Sequence, residues 1–477
     1  MNRRWWKRLA AAAGIAVTLA IVAGIGLVAD RSATRRADAR RLDEALARLD
    51  AEDPAWTVAG VESAHNAPIP DDPDNVTKAT LTAAGWRSAG SKVRRHAILF
   101  AKTATDPVRG DNCLPRDEEF CWLHEVHTES AEAHRLALAA RRLPSGGLQF
   151  HFGDPDPRNT LLPYLEWVNE AAAMLHDLAA VEAYFGRGDE ALRATEAGLH
   201  FTQTTLSAEP FLVGQYVRLR LATRAAIMAQ QTLAWAEPST ELARVQAAFE
   251  NAAAVDGVTP ALRGERAAAM MVYDNVRSGV LPWDHLDFPA GTVKPPATAR
   301  LKSRLGGRNL VREQADVLDA FNAFLAAARL SGPARLAACD AVPTGDVSLL
   351  SPFVPTVPAF VEADDQARAQ LLCAAVGLAC ERYRRQSGHF PASLADLPAS
   401  ILPAIPADPF GGRPLRYQLV AGGATVSSVG PGVTRHVVPR RWGYGDPRPT
   451  QFRLRNPKTR RSPPPAPDPM PLPGDAP

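Results

Sequence analysis

The feature that most constrains this chain is an uncharged apolar run near its beginning. Leu9–Ala29 spans 21 residues and carries no charged side chain. As a helix rising 1.5 Å per residue, it is long enough to cross a hydrocarbon core of roughly 30 Å. Residues 1–8 hold four Lys or Arg side chains and two tryptophans, which are typical of a membrane interface. We therefore expect residues 9–29 to be a single-pass transmembrane helix embedded in the lipid bilayer.

A cleaved signal peptide is the alternative interpretation of this run. Signal peptides have a shorter apolar segment, and small residues follow it at the cleavage site. Here the small residues Gly24 and Gly26 lie inside the run, which favours an uncleaved anchor. Because long domains are translocated largely regardless of their charge, we expect the basic tail, residues 1–8, to be cytoplasmic. The bulk of the chain is then extracytoplasmic, at the cell inner membrane.

The amino-acid composition indicates which fold class and which kinds of partner to expect. The hydrophobic share of 46% and the charged share of 22% are those of an ordinary globular protein. Alanine, leucine and arginine are abundant, which favours helices over sheets. A net charge of +3 over 477 residues is too small to indicate a nucleic-acid partner.

Apolar periodicity predicts a mainly α-helical extracytoplasmic domain over residues 30–360. The longest helical block is 160–254, where a Gly-Arg-Gly-Asp turn at 186–189 separates two amphipathic helices. Helices paired in this way form α-helical hairpins that stack like a solenoid, although no repeat of fixed period is present. Ser239 is predicted to cap a later helix, and residues 332–360 to be rich in loops.

The sequence pattern changes after residue 360. Residues 361–435 are predicted to form a helix followed by a small β-hairpin module. Gly388 suits a helix end, and "PADPFGG" (406–412) suits a stiff corner before the strands "PLRYQLV" and "ATVSSV". Residues 436–477 are rich in proline and arginine and lack apolar periodicity, so we expect a disordered tail.

Soft metal ligands are concentrated in one short segment. Its members are Cys113, Cys121, His124 and His127. Sulfur and imidazole donors suit zinc, which makes these four residues candidate metal ligands. A Cys113–Cys121 disulfide, or side chains with no common partner, would explain the same residues. Cys373 and Cys380 lie seven apart on a predicted helix, so they cannot bond to each other and are expected in the core.

The sequence contains no recognisable catalytic motif. We find no GxSxG, HExxH or phosphate-binding glycine loop, and no dinucleotide fingerprint after a strand. No catalytic residue and no cofactor is therefore predicted, and a non-enzymatic role is favoured.

Two resemblances extend this interpretation. Residues 383–432 resemble the C-terminal part of type II secretion major pseudopilins. The matching residues are Tyr383, Gly388, Phe390, Pro391, Leu394 and Leu397, followed by Pro406, Asp408, Pro409, Phe410 and Gly411. The acidic calcium ligands of that family have no counterpart after Gly430, and the apolar run lacks the family's processing site and its glutamate.

The whole chain is similar to uncharacterised membrane-anchored proteins of planctomycete-type bacteria. The likeness rests on the N-terminal anchor, on "LDAEDPAW" and "IPDDPDN", and on "AEPFLVGQYVRL" before the pseudopilin-like end. It implies an anchored, mostly helical extracytoplasmic protein without a known activity. We therefore predict a helical scaffold or binding protein of the bacterial cell envelope that contacts other envelope proteins. A metal-dependent hydrolase using residues 113–127 and a pseudopilin-like secretion component are the alternatives.

Overall fold

The structure, a computed structural model, is mainly α-helical with one small antiparallel sheet. It describes residues 32–66, 124, 128, 131–141, 148–282, 309–343, 356–431 and 450–460. The predicted tail 1–8 and the predicted anchor 9–29 lie outside these residues. Within the described ranges, no helix combines the length and the apolar composition that a membrane crossing requires.

The described helices follow one another along most of the chain. They are α1 (residues 32–52), α2 (Val58–His65), α3 (Ala131–Ala140), α4 (Tyr164–Tyr184), α5 (Gly188–Leu206), α6 (Leu212–Trp235), α7 (Leu242–Ala254), α8 (Val258–Arg277), α9 (Leu310–Ala328), α10 (Pro333–Asp340) and α11 (Thr356–Ser387). The strands are β1 (Arg416–Val420), β2 (Gly423–Ser427) and β3 (Gln451–Arg455).

Helices α4, α5 and α6 pack against one another, as the predicted helical hairpins require. Gly186 adopts a left-handed conformation, with φ 81°, and this reverses the chain between α4 and α5. Along α6, the side chains that meet the neighbouring helices are small and completely buried: Ala222, Ala225, Ala226 and Ala229. Small residues let helices approach closely, so the alanine-rich composition is explained by packing.

A second apolar cluster joins the two ends of the helical domain. Leu42 and Leu49 of α1 pack with residues of α8 and α9, among them Tyr273 and Phe321. The predicted loop-rich region 332–360 is only partly loop, because α10 lies inside it and α11 begins at Thr356. Gly332, with φ 61°, directly precedes Pro333, so a glycine and a proline together start α10.

The C-terminal module follows its predicted local structure closely. Gly388 has φ 81°, and its N–H donates to Arg384 O at the end of α11. The carboxylate of Asp408 accepts from Phe410 N, Val429 N and Ser428 Oγ, which makes the predicted stiff corner. Strands β1 and β2 pair as the predicted hairpin, with Tyr417 opposite Val426.

The prediction of a disordered tail from residue 436 was wrong for residues 450–460. Residues 451–455 add a third strand, and the sheet order is β1-β2-β3. Phe452 and Leu454 of β3 are buried against α11, and Arg453 N donates to Gln230 Oε1 of α6, 2.6 Å away. Local composition could not predict this strand, because its stability comes from partners more than twenty residues away.

Two side-chain predictions have different outcomes. Cys373 and Cys380 are completely buried free cysteines in the core, as expected. Ser239 does not cap α7, because the N-cap residue is Glu241 and no side chain caps this helix end; the Ser239 hydroxyl donates to Asp189 of α5 at 2.9 Å. The same carboxylate accepts from the backbone N–H groups of Ser239, Thr240 and Glu241. Asp189, in the first turn of α5, therefore holds the residues that lead into α7.

Candidate functional site

Three of the four predicted metal ligands, Cys113, Cys121 and His127, lie outside the described residues. His124 is described and exposed, and its ring packs edge-on against Phe185 with 5.6 Å between centroids. Over the described ranges, no group of three or more His, Cys, Asp or Glu residues is arranged to hold a metal ion.

The described residues form a groove between α5 and α7. The two helices are neighbours in space although α6 separates them in sequence. Arg193 meets Glu241 near the start of both helices, and Glu196 meets Arg244 about one turn later. The helices therefore run in the same direction along the groove, as the outer helices of a stacked array do.

The groove has a volume of about 350 Å³ and a mixed lining. Its lining residues are Glu196, Leu199, His200, Gln203, Arg244, Ala247, Ala248, Asn251, Ala252 and Val255. Leu199 and Ala252 are buried at its base, whereas Ala247 and Asn251 are exposed. On each helix the lining residues recur at intervals of three or four positions, so they lie on one continuous face of that helix.

Charged groups mark one end of the groove. Arg244 Nε donates to Glu196 Oε1 across the groove at 3.1 Å. Arg141, which directly follows α3, approaches the other oxygen of Glu196 at 3.6 Å. Glu196 is 7% exposed, so its charge is largely shielded from water and held by the two arginines.

The opposite end of the groove meets a buried polar network. Gln203 Oε1 accepts from Arg218 Nη1 at 3.2 Å, whereas Gln203 Nε2 is buried and has no acceptor in the described part of the chain. Arg218 is 1% exposed and also donates to Gln215 Oε1 and to Asp364 Oδ1. Because Gln203 Nε2 is buried, it belongs to the protein interior behind this end of the groove.

Two aspartates and two arginines make up most of that network. Arg335 Nη1 donates to Asp364 Oδ2 at 2.8 Å and to Asp365 Oδ1 at 2.7 Å. Burial opposes the ionisation of Asp364, but the nearby arginines, chiefly Arg335, hold its pKa below the usual value. Burial raises the pKa of Asp365 to about 6, against the attraction of Arg335. The network fastens α10 to α11 and α6, which is a structural role.

A second buried acidic pair lies where α4, α6 and α8 meet. Tyr164 Oη donates to Glu209 Oε2 at 2.9 Å, and Leu212 N donates to Glu265 Oε1 at 3.0 Å. Burial raises the pKa of Glu209 to about 8, and the neighbouring charge of Glu265 adds to the shift. Burial likewise raises the pKa of Glu265 to about 7. Both carboxyl groups are enclosed by protein, so they offer no surface to a substrate.

Sequence reasoning missed the α5–α7 groove, because its residues come from helices separated by α6. The available signal was a row of polar residues at helical spacing within alanine-rich helices: Glu196, His200 and Gln203 on α5, and Arg244 and Asn251 on α7. Such a row also fits an ordinary solvated face, so it does not identify a groove by itself. Comparison with known proteins adds no relative, since no protein-family model, no curated protein and no solved structure matches the chain.

Proposed function

We propose that this protein is a non-enzymatic helical scaffold or binding protein of the bacterial cell envelope, anchored in the inner membrane by residues 9–29. Its ligand is an elongated segment of another envelope protein, held in the α5–α7 groove. Two observations support the proposal: the uncharged N-terminal run of the sequence and an accessible groove on the helical domain.

The observation that carries the binding role is the chemical lining of the groove. A base containing Leu199 and Ala252 suits an apolar side chain, and the Glu196–Arg244 pair at one end suits a polar or charged group. Apolar contacts flanked by convergent polar groups are typical of peptide-binding sites.

Site-specific photo-crosslinking of the full chain in its membrane tests the proposal. A benzophenone amino acid at Ala247, inside the groove, is expected to capture a defined envelope protein. The same group at Ala243, which is exposed on α7 outside the lining, is the matched control. Equal capture at both positions, or none at Ala247, would contradict a binding role for the groove.

A substitution that fills the groove sharpens this test. Asn251→Trp places a large ring on an exposed lining position and should abolish capture without changing the melting temperature. Ala254→Trp, on the exposed end of the same helix, should leave capture unchanged. If Asn251→Trp retains full capture, the ligand does not occupy the groove.

The anchor is tested separately by membrane fractionation. The full chain should stay with the inner membrane after a high-salt wash, and deletion of residues 2–30 should release it. Added protease should cleave the helical domain only when the extracytoplasmic side is accessible. Release of the full chain by salt alone would contradict the anchor but leave the groove test unaffected.

A further inference from the structure

The segment preceding the first helical hairpin is extended and inserts its apolar side chains into the protein. Leu148, Phe150 and Phe152 are buried, whereas Gln149 and His151 between them are exposed. This alternation has a period of two residues, which is the pattern of a strand with one buried face. We call residues 148–152 the inserted segment.

Side chains of α2 and its C-terminal cap hold one edge of the inserted segment. Asn66 accepts from Phe150 N at 3.1 Å and donates to Phe150 O at 2.6 Å, as a neighbouring strand would. His65 Nε2 lies 2.9 Å from Leu148 O, and Glu62 accepts from Phe152 N. Three side chains spaced along one helix turn therefore replace the backbone of a partner strand.

The buried face of the inserted segment enters an aromatic pocket. The rings of Phe150 and Phe152 each pack edge-on against Phe211, with centroids 5.2 and 5.1 Å apart. The ring of His65 also packs edge-on against Phe150, with centroids 4.9 Å apart. Val61 and Tyr164 belong to the same buried cluster. The pocket thus accepts bulky apolar side chains at alternate positions of an extended chain.

We propose that the pocket and the polar edge of α2 form a recognition site for an extended peptide segment of a partner protein, which the chain's own residues 148–152 occupy as an internal ligand. The preferred segment carries bulky apolar residues at positions i, i+2 and i+4. Main-chain hydrogen bonds to Glu62, His65 and Asn66 give affinity for any extended backbone, and the pocket selects the side-chain pattern.

The inserted segment itself shows which kind of peptide fits the site. The contacts of Asn66 go to main-chain atoms, which every peptide shares, so they do not distinguish the inserted segment from a foreign one. Residues 153–163 join the inserted segment to Tyr164 of the pocket, and an intramolecular contact over such a short connection has an effective concentration of roughly millimolar. A partner segment therefore binds strongly only when the internal one is weakened or displaced.

This site is separate from the α5–α7 groove. Its residues belong to α2, the inserted segment, the start of α4 and the connector before α6, and none of them lines that groove. The test below uses purified protein and a synthetic peptide, whereas the groove is tested by capture in the membrane. Either proposal can therefore fail while the other stands.

Peptide binding to a protein with a weakened internal ligand is the direct test. The variant with the weakened internal ligand, called the core variant, is Phe150→Ser/Phe152→Ser. The matched control variant is Gln149→Ser/His151→Ser, which changes only exposed side chains. The probe is a fluorescent peptide of residues 147–153, Gly-Leu-Gln-Phe-His-Phe-Gly. A second peptide has serine in place of Leu148, Phe150 and Phe152.

We expect the core variant to bind the first peptide at a ratio of one to one, at least roughly tenfold more tightly than the wild type or the control variant. The serine peptide should not bind. Adding Asn66→Ala should weaken binding of the first peptide by about fivefold, since the main-chain pairing is lost. Failure of the folded core variant to bind, or equal binding by all proteins, would overturn the proposal.

If the core variant does not fold, hydrogen exchange of the wild-type protein provides a second test of the proposal. Millimolar first peptide should displace the inserted segment and accelerate exchange of the Phe150 and Phe152 amides, which are bound by Asn66 and Glu62. The serine peptide should have no effect. Unchanged exchange of both amides with the first peptide would likewise overturn the proposal.

Discussion

The ring of Phe452 lies directly against the backbone of Gly377, where strand β3 crosses helix α11. A Cβ atom at Gly377 would lie 2.6 Å from Cε1 of Phe452, far inside van der Waals contact. Phe452 is completely buried, so its ring has no free space to move into. The absence of a side chain at one helical position therefore decides how closely the sheet approaches the helix.

Gly377→Ala should destabilise the protein by about 1–3 kcal/mol, because the added methyl group forces Phe452 and β3 outward. Gly198→Ala is the matched helical control, since its added Cβ would meet Leu175 Cβ at an ordinary 3.6 Å. The control should be neutral or stabilise by about 0.5–1 kcal/mol through its helix propensity. Urea unfolding measures both changes, and equal effects would contradict the close contact.

Stability should fall as the pH rises from about 5 to about 8, through Glu209 and Glu265. Their folded pKa values, about 8 and about 7, lie above the ordinary value of 4.5. The folded protein therefore binds more protons than the unfolded chain over this range, so raising the pH favours unfolding. The contribution of the pair is fully present below about pH 4.5 and lost above about pH 8.

Glu209→Gln/Glu265→Gln isolates this contribution. The variant should exceed the wild type in stability at pH 9 by a few kcal/mol, of the order of 2–4, and lose most of the slope between pH 5 and 9. Glu190→Gln, at an exposed position on α5, should keep the wild-type slope. Parallel pH profiles for the double variant and the wild type would show that these carboxyl groups do not set the slope.

Removing Arg335 should be among the most damaging single changes. Arg335→Met leaves Asp364 and Asp365, both nearly completely buried, without the guanidinium that bonds to each. Breaking a buried ion pair in this way costs about 3–5 kcal/mol. Arg329→Met, at an exposed site next to the end of α9, should change the unfolding free energy by less than about 0.5 kcal/mol. A similar small effect at both sites would refute a structural role for the network.

Asp189→Ala should destabilise the α5–α7 pair, because Asp189 of α5 binds residues 239–241, which lead into α7. It removes the acceptor of three backbone N–H groups and of the Ser239 hydroxyl, at an expected cost of about 1–2 kcal/mol. Ser239→Ala should cost less, since the three backbone bonds to Asp189 remain. Thermal unfolding compares the two variants. A larger loss from Ser239→Ala would contradict the greater weight of the three backbone bonds.

Elements with a local cause could be predicted from the sequence. The Gly-Arg-Gly-Asp turn, the helix end at Gly388 and the corner around Asp408 all depend on residues a few positions apart, and each was confirmed. The hairpin of β1 and β2 belongs to the same class, because its turn joins adjacent strands. Short-range geometry and side-chain pattern are sufficient for such features.

Features that depend on residues far apart in the sequence could not be predicted from local sequence patterns. Residues 451–455 have too little local preference to form a strand alone, and they do so because β2, α11 and α6 supply pairing and a buried surface. The groove and the inserted segment likewise combine residues from elements far apart in the chain.

The sequence by itself determined where most helices and the β1–β2 hairpin lie, because turn residues and apolar periodicity act within a few residues. Only the tertiary structure decided that Asp189 of α5 binds the residues leading into α7, that β3 joins the sheet, and that residues 148–152 insert beside α2. The physical reason is that a hydrogen bond or an apolar contact between distant residues exists only once the intervening helices bring the two surfaces together.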